Sequence, residues 1–580
     1  MRQQVIPLLR RAFPLLDDLA RTHGKALPQD VLAGTITAVL LVPQALAYAL
    51  LAGLPPQIGL YASVLPPIVY AFLGGSRTLA VGPVAVAAAM VASALIGFAA
   101  DDSTRYLYGA LMLSAMTGTF LLLLGALRLG WLTHFISHLV LSGFMTGAAL
   151  FIVGTQLAPL TGIAVPREAD FAEIVRFLAF SGASANTMTV ICSVCAILSL
   201  LLARKPLIAL LGQLGVHPDI AGILSRTAPL LVITLATIIS ARFDLQHSAG
   251  LAVVGEIPQG IFNVDFAFLS EPSWLLLAPS ALMIALIAYV ESISVARTLA
   301  FRRHEKIDPD RELLALGISN LAGACVGAMP VAGGFSRSMV NFDAGARTQA
   351  AAVVTATWVA LGALFFTTLL RDLPKAVLAA IIVVAVFQLI DFRSLRRTWA
   401  YDRGDGITQV ATIAGVLLFN IELGLILGVV LGTAVFLYKT SRPHIAKIGR
   451  IIGTEHFRNI DRHDVETWPE ILLLRIDENL YFGNTPRVET QLMNMVIERD
   501  NLRAVVLILS GVAHIDSSSL EMLESFQRSL ADKAIALHLA EIKGPLMDRL
   551  SRTPFLQALG PGRVHLSTNA AVKSLLHEIS

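Results

Sequence analysis

"PVAGGFSRSM", Pro330–Met339, places an arginine between long apolar runs. Arg337 follows the pair Gly333 and Gly334 and sits between Ser336 and Ser338. An ionisable group at such depth is costly, so it is functional or paired. The apolar run it opens, Phe335 to Ala344, has only ten residues. A second run of this kind lies upstream at Pro83 to Phe98, "PVAVAAAMVASALIGF", preceded by "SRTLAVGP". Its 16 residues span about 24 Å at 1.5 Å each. Neither crosses a hydrocarbon core of roughly 30 Å.

The rest of the chain gives these two runs their setting. With 580 residues, 55% of them hydrophobic, and a mean hydropathy of +0.70, the chain reads as a membrane protein in a lipid bilayer. The charged fraction of 15% lies below the usual value of about 25%. A net charge of +3 without a basic, aromatic-interleaved patch excludes nucleic acid as a partner. The first 25 residues lack a signal-peptide h-region and read as a cytoplasmic amphipathic arm. Cys192 and Cys195 form a CxxC inside an apolar stretch and read as lipid- or core-facing rather than redox or metal-binding. No cofactor or metal is expected.

Apolar segments recur from Asp30 to about Lys439, fourteen in number. They start near residues 30, 58, 83, 106, 134, 188, 227, 274, 312, 335, 349, 375, 406 and 421. Clusters of Lys and Arg near Arg204, Arg302 and Arg396, and in "YKTSRPHIAKIGR", fall on one side if the N-terminus is inside. Both termini are then cytoplasmic, in a multi-pass cell-membrane protein expected in a bacterial inner membrane. The organisation expected is an arm over 1–25, a membrane domain over 26–440 and a linker with a soluble domain over 441–580. In that last part strand-like "EILLLRID", "LRAVVLILS", "AIALHLAEI" and "RVHLS" alternate with helical stretches, an α/β pattern.

Counted as seven plus seven, each short run is third in its set. Corresponding short, Gly/Pro-interrupted segments in two halves point to a transporter's binding site. A helix N-terminus carries unpaired N–H groups and roughly half a positive charge, so two such ends meeting at the midplane make an anion site. Arg337 strengthens that field, or else snorkels or closes an ion pair. Glu291, in "ALIAYVESISVARTLA", is a second deep charge. It is either a proton-coupled switch or a permanently ionised brace for Arg337. Gly424, Gly428 and Gly432 at i, i+4 and i+8 allow close helix approach, within the bundle or at a dimer seam. No HExxH, catalytic triad or P-loop stands out, so an enzyme is not expected.

The run "VPQALAYALLAGLPPQIGLYASVLPPIVYAFLGGSRTLAVGPVAVAAAM", Val42–Met90, resembles the signature of the SulP family of anion transporters, the sulfate permeases. "PVAGGFSRSMVNFDAGARTQ", "VESISVARTLA" and "LPKAVLAAIIVVAV" are similar to its tenth, eighth and twelfth segments, and the tail resembles its STAS domain. The resemblance implies a polytopic α-helical membrane protein with a seven-plus-seven inverted repeat. Segments 1–4 and 8–11 form a moving core and 5–7 and 12–14 a gate, with an elevator motion in a homodimer. It places a small inorganic anion between the third and tenth helices, against Val84, Ala85, Phe335, Ser336, Arg337 and Ser338. Gln44 and Tyr48, four apart on one helix face, face the anion beside them or satisfy a neighbouring helix.

Several donors with one full positive charge suit a tetrahedral dianion, sulfate, with Glu291 carrying a symported proton in preference to sodium. The alternatives are bicarbonate, chloride or dicarboxylate transport, uncoupled exchange, and a membrane-anchored STAS sensor signalling to a cytoplasmic partner. "HIDSSSLEML" from His514 resembles the STAS loop that opens a helix. There Asp516 or Ser517 is an N-cap, or Ser517 a regulatory phosphorylation site.

Overall fold

The computed structural model describes residues 13–579 except 23, 100–101, 132–136, 166–170, 181–183, 204, 216, 259, 261 and 263–265. Residues 1–12 of the expected arm, and Arg204 of one basic cluster, therefore lie outside the described residues. The chain divides into two compact units, 1–431 and 432–580.

The first unit is a helical bundle. Segments 1 to 7 are Leu27–Leu51, Pro56–Leu73 (two helices, Pro56–Tyr61 and Leu65–Leu73), Ala85–Ala99, Ser103–Ala126, His138–Thr161, Thr187–Leu202 and Pro218–Arg242. Segments 8 to 14 are Trp274–Arg302, Pro309–Cys325, Phe335–Asp343, Ala350–Phe365, Lys375–Val386, Arg403–Leu418 and Ile421–Thr440. Among the described residues, 7 helices are long and apolar enough to cross a membrane. Segments 3 and 10, at 15 and 9 residues, are not among them.

Packing follows the repeat. Segment 4 lies along segment 8 as segment 11 lies along segment 1, and segment 5 along 13 as 12 along 6. The first two pairs belong to the core and the last two to the gate. Glycine sets the closest approaches: a Cβ on Gly118 of segment 4 would stand 2.8 Å from the Gly317 carbonyl oxygen of segment 9, so only hydrogen allows the crossing. Gly424 and Gly428 do the same inside the gate, where added carbons would meet Val416 and Thr412 of segment 13 at 2.4 Å.

One expectation needs correction. Segment 7 begins at Pro218 rather than near 227, with Pro at its first position and Pro229 inside the helix. Asp219 and Arg226 dilute the apolar signal of its first turns. The basic stretch after segment 14 runs into a strand, Ile445–Arg450. Its charges are paired at its rim, Lys447 with Glu498 and Arg450 with Glu466, each at 2.6 Å.

Inside the bundle two short buried strands pair: β1, Val81–Gly82, runs antiparallel to β2, Ala332–Gly333. The second unit carries β3 (Ile445–Arg450), β4 (Phe457–Asn459), β5 (Ile471–Ile476), β6 (Ala504–Ile508), β7 (Ala536–Ala540) and β8 (Val564–His565). Their order is β4-β3-β5-β6-β7-β8, with β5 to β8 parallel. A parallel sheet is covered on both faces, and apolar clusters accordingly lie on each side: Leu472, Leu474 and Leu507 on one, Leu473, Val506 and Val572 on the other.

Candidate functional site

Segments 3 and 10 meet head to head because the chain before each is extended and the two extensions pair as β1–β2. Buried side chains fix this junction from neighbouring helices. Ser292 Oγ of segment 8 accepts from the Gly333 amide at 2.8 Å, and the Asn320 amide of segment 9 brackets Val331, accepting from its N–H and donating to its carbonyl. On the other strand, Asn341 donates to the Thr78 carbonyl and Gln349 to those of Ser76 and Leu79. Glu312 accepts from the Gly75 and Ser76 amides at 2.8 and 3.1 Å and from Tyr70 Oη at 2.6 Å. Residues 75–80, which deliver segment 3, are thus held by segments of the opposite repeat. Sequence reading passed over Ser292, Asn320, Asn341, Gln349 and Glu312. Their signal was a polar residue inside an apolar segment.

The junction borders a cavity of about 50 Å³, room for a few water-sized groups. Gln44 and Tyr48 of segment 1 line it, with Val84 and Ala85 at the start of segment 3. Glu291 of segment 8, Phe335, Ser336 and Arg337 of segment 10, and Ala385, Val386 and Leu389 at the end of segment 12 complete the wall. Ser338 is a correction. It does not line the cavity, because its hydroxyl accepts from the Ala80 amide at 2.9 Å and donates to the Gly334 carbonyl at 2.7 Å. It ties the two half-helices together instead.

Arg337 is buried, 2% exposed. Its guanidinium reaches across to segment 3, where Nη1 donates to the Pro83 carbonyl. Nε and Nη2 have no hydrogen-bond partner, and neither has Glu291 Oε2. No Arg337–Glu291 ion pair within 4.0 Å forms among the described residues. Gly334 makes room, since an added Cβ would lie 3.0 Å from Nη2. Among the described residues the Gln44 amide, the Tyr48 hydroxyl and the Ser336 hydroxyl make no hydrogen bond to another helix. First-turn amides of both half-helices have no intrahelical acceptor. Donors without acceptors therefore converge on one small space, the arrangement that receives an anion.

Larger cavities exist elsewhere. One of about 730 Å³ near Arg77 has that arginine already bonded to Asp18 and Glu305, and one of about 690 Å³ between segments 1, 7 and 11 is mostly apolar. In the second unit, Asp516 caps the helix Ser517–Ala531 by accepting from Ser519 N–H at 2.9 Å, and its other oxygen accepts from Phe482 N–H. Bonding to these amides holds its carboxyl below the usual range against the opposing effect of burial. Ser517 is left exposed.

Residues 27–412 match the model of the sulfate permease family. The chain belongs to that family. Residues 462–571 match the STAS domain. Among curated relatives, the probable sulfate transporter 4.2 of Arabidopsis thaliana is 33% identical over 562 residues, 95% of this chain and 81% of that one. The chloroplastic sulfate transporter 4.1 of the same plant is 33% identical over 561 residues, 95% and 80%. The solved structure of the murine Slc26a9 anion transporter superposes with a TM-score of 0.88 at 22% identity, over 99% of this chain and 95% of that one. The transmembrane domain of the cyanobacterial bicarbonate transporter BicA does so with 0.58 at 21%, over 70% and 98%. At these identities the two structures show the fold alone, a multi-pass helical bundle. The relatives support anion transport.

Proposed function

We propose that this family member is a secondary active transporter of a small inorganic anion, sulfate first, driven by symported protons through an elevator motion of core against gate. The observation that carries this reading is the set of unpartnered groups around one cavity: Arg337 Nε and Nη2 beside the two half-helix N-termini, with Glu291 Oε2 unpartnered on the same wall. A carboxyl beside an anion is favoured in its protonated form, because a proton removes like-charge repulsion. Anion and proton then bind with positive linkage, and by reciprocity lower pH tightens anion binding. The names of the plant relatives favour sulfate over bicarbonate, chloride or dicarboxylate. Those relatives give the expectation of a bacterial inner membrane no support. We retain cytoplasmic termini, a homodimer and regulation at exposed Ser517, through phosphorylation or a cytoplasmic partner of the STAS domain, as parts of this reading.

The test is an anion panel in proteoliposomes with and without a pH gradient. Wild type should accumulate sulfate when the gradient is imposed. Glu291→Gln, a neutral mimic of the protonated carboxyl, should keep exchange of labelled sulfate but lose gradient-driven accumulation. Accumulation by Glu291→Gln equal to wild type would move the coupling site elsewhere. Exchange without accumulation in wild type would favour the uncoupled exchanger.

A further inference from the structure

A second cavity, of about 470 Å³, lies in the seam between core and gate where segments 1 and 5 end and segment 12 begins. Its walls come from segments 1, 3, 4, 5 and 12, and Lys375 is the single charged side chain among the described residues that line it. Ser93, Thr155 and Gln156 supply polar groups among otherwise apolar residues. Two helices run from this cavity to the candidate site. On segment 12, Leu378, Ala379 and Ile382 line the larger space and Ala385, Val386 and Leu389 the smaller. Those positions share one helix face. On segment 3, Ala89 lines the larger and Ala85 the smaller. Ten residues separate Lys375 from Ala385, about 15 Å along the helix.

Lys375 is exposed at the rim, and no carboxylate lies within 4.0 Å of its amine among the described residues. Its charged neighbours are committed elsewhere: Arg371 pairs with Glu256 at 3.6 Å, and Asp372 lines the separate apolar cavity. Its backbone is anchored, since Lys375 N–H donates to the Ala252 carbonyl beside the Val253–Pro374 bridge. A lysine that only anchored a segment end in lipid headgroups would face away from the bundle. This one faces an internal space that leads to unpartnered donors.

We infer that this cavity is an anion-capture vestibule, a low-affinity subsite in which Lys375 concentrates a small inorganic anion at one mouth of the path to Arg337. The inference rests on the anion-site reading of the Arg337 cavity. An unpaired cation in a cleft with low-dielectric walls raises the local concentration of an anionic substrate, and salt screens the effect.

The experiment uses the full chain in right-side-out and inside-out vesicles, with labelled sulfate, or with bicarbonate or chloride if wild type carries one of those instead. Lys375→Met should raise KM about three- to tenfold at low ionic strength on one side of the membrane only, leave the maximal rate unchanged, and converge with wild type in high salt. Lys375→Arg should retain the wild-type KM. An unchanged KM on both sides, an equal rise on both, or a rise that persists in high salt overturns the vestibule. Arg337→Ala is measured alongside. If it binds anion as wild type does, the underlying site reading fails, whereas weakened Arg337→Ala with normal Lys375→Met sinks the vestibule alone. A chain that carries none of the three anions overturns both.

Discussion

Arg337 spends one of its donors on protein and keeps two for something else. Nη1 is bonded to the Pro83 carbonyl, the residue that delivers segment 3, so the side chain ties the partner half-helix in place while Nε and Nη2 stay open. Removing it should therefore do two things at different cost. Arg337→Ala loses a charge-assisted hydrogen bond of roughly 1.5–3 kcal/mol, which is a tenfold to more than hundredfold weaker anion Kd. Arg337→Lys keeps the charge but not the fork that serves Pro83 and the cavity together, and should fall between the two. Calorimetric titration with sulfate checks both, and a wild-type Kd in a folded Arg337→Ala removes this residue from the site. Ser338 illustrates the limit of reading residues by neighbourhood. It flanks Arg337 in sequence, yet a helix turns about 100° per residue, which swings its hydroxyl into the junction behind the cavity.

At the scale of elements, both short helices were legible because Pro and Gly interrupt apolar runs at matching places in two halves. Hydropathy fixed the other segments where the apolar signal begins abruptly and slipped where Asp219 and Arg226 blur it, at the start of segment 7. The polar clamps from Glu312, Asn341 and Gln349 were not legible, because their backbone partners belong to the opposite repeat, more than two hundred residues away in sequence, whereas Ser292 and Asn320 bond Gly333 and Val331 of their own repeat. In the STAS unit, alternation exposed β5 to β8 but not β3. There Lys447 and Arg450 look like a cytoplasmic basic cluster until Glu498 and Glu466 are seen beside them. β3 starts at Ile445, so a fragment of residues 441–580 keeps the whole sheet and should fold alone.

Within that fragment His538 of β7 is buried and stacked on His565 of β8, ring centroids 5.3 Å apart, with Nδ1 and Nε2 3.0 Å apart. Burial, then the neighbouring His565, pushes the His538 imidazole down from 6.5 to about 4, and burial lowers His565 as well. Below about pH 6.5 the unfolded chain binds protons that the folded domain refuses, so stability is complete above that pH and falls as pH drops towards 4. The melting temperature of the fragment should decline steadily from pH 7 to pH 5, and His538→Gln should flatten that decline. Asp477 and Asp516, whose carboxyls are held below their ordinary range, contribute in the same direction only at lower pH. Parallel calorimetric scans at stepped pH decide the point.

Across the whole membrane unit, core and gate meet along a seam that any elevator stroke must shear. Ser280 of segment 8 donates to Glu422 Oε2 of segment 14 across it at 3.1 Å, leaving Glu422 Oε1 buried without a partner. Only Glu291, however, puts a carboxylate on the cavity wall among the described residues. That count has an electrical consequence. A sulfate accompanied by one proton still carries one negative charge across the bilayer. An inside-negative potential opposes its entry by about 2.3 kcal/mol per 100 mV, whereas one pH unit returns about 1.4 kcal/mol per proton. Against 100 mV, a gradient of about 1.7 pH units is needed merely to hold sulfate level. With potassium and valinomycin clamping the voltage, uptake should therefore rise when the vesicle interior is made positive and fall when it is made negative. Uptake indifferent to voltage would require a second proton on each cycle, with Glu422 at the seam as the group to mutate next. On the proposed one-proton symport, membrane voltage and pH gradient together set the direction in which sulfate moves, and the membrane that holds the protein decides which of the two prevails.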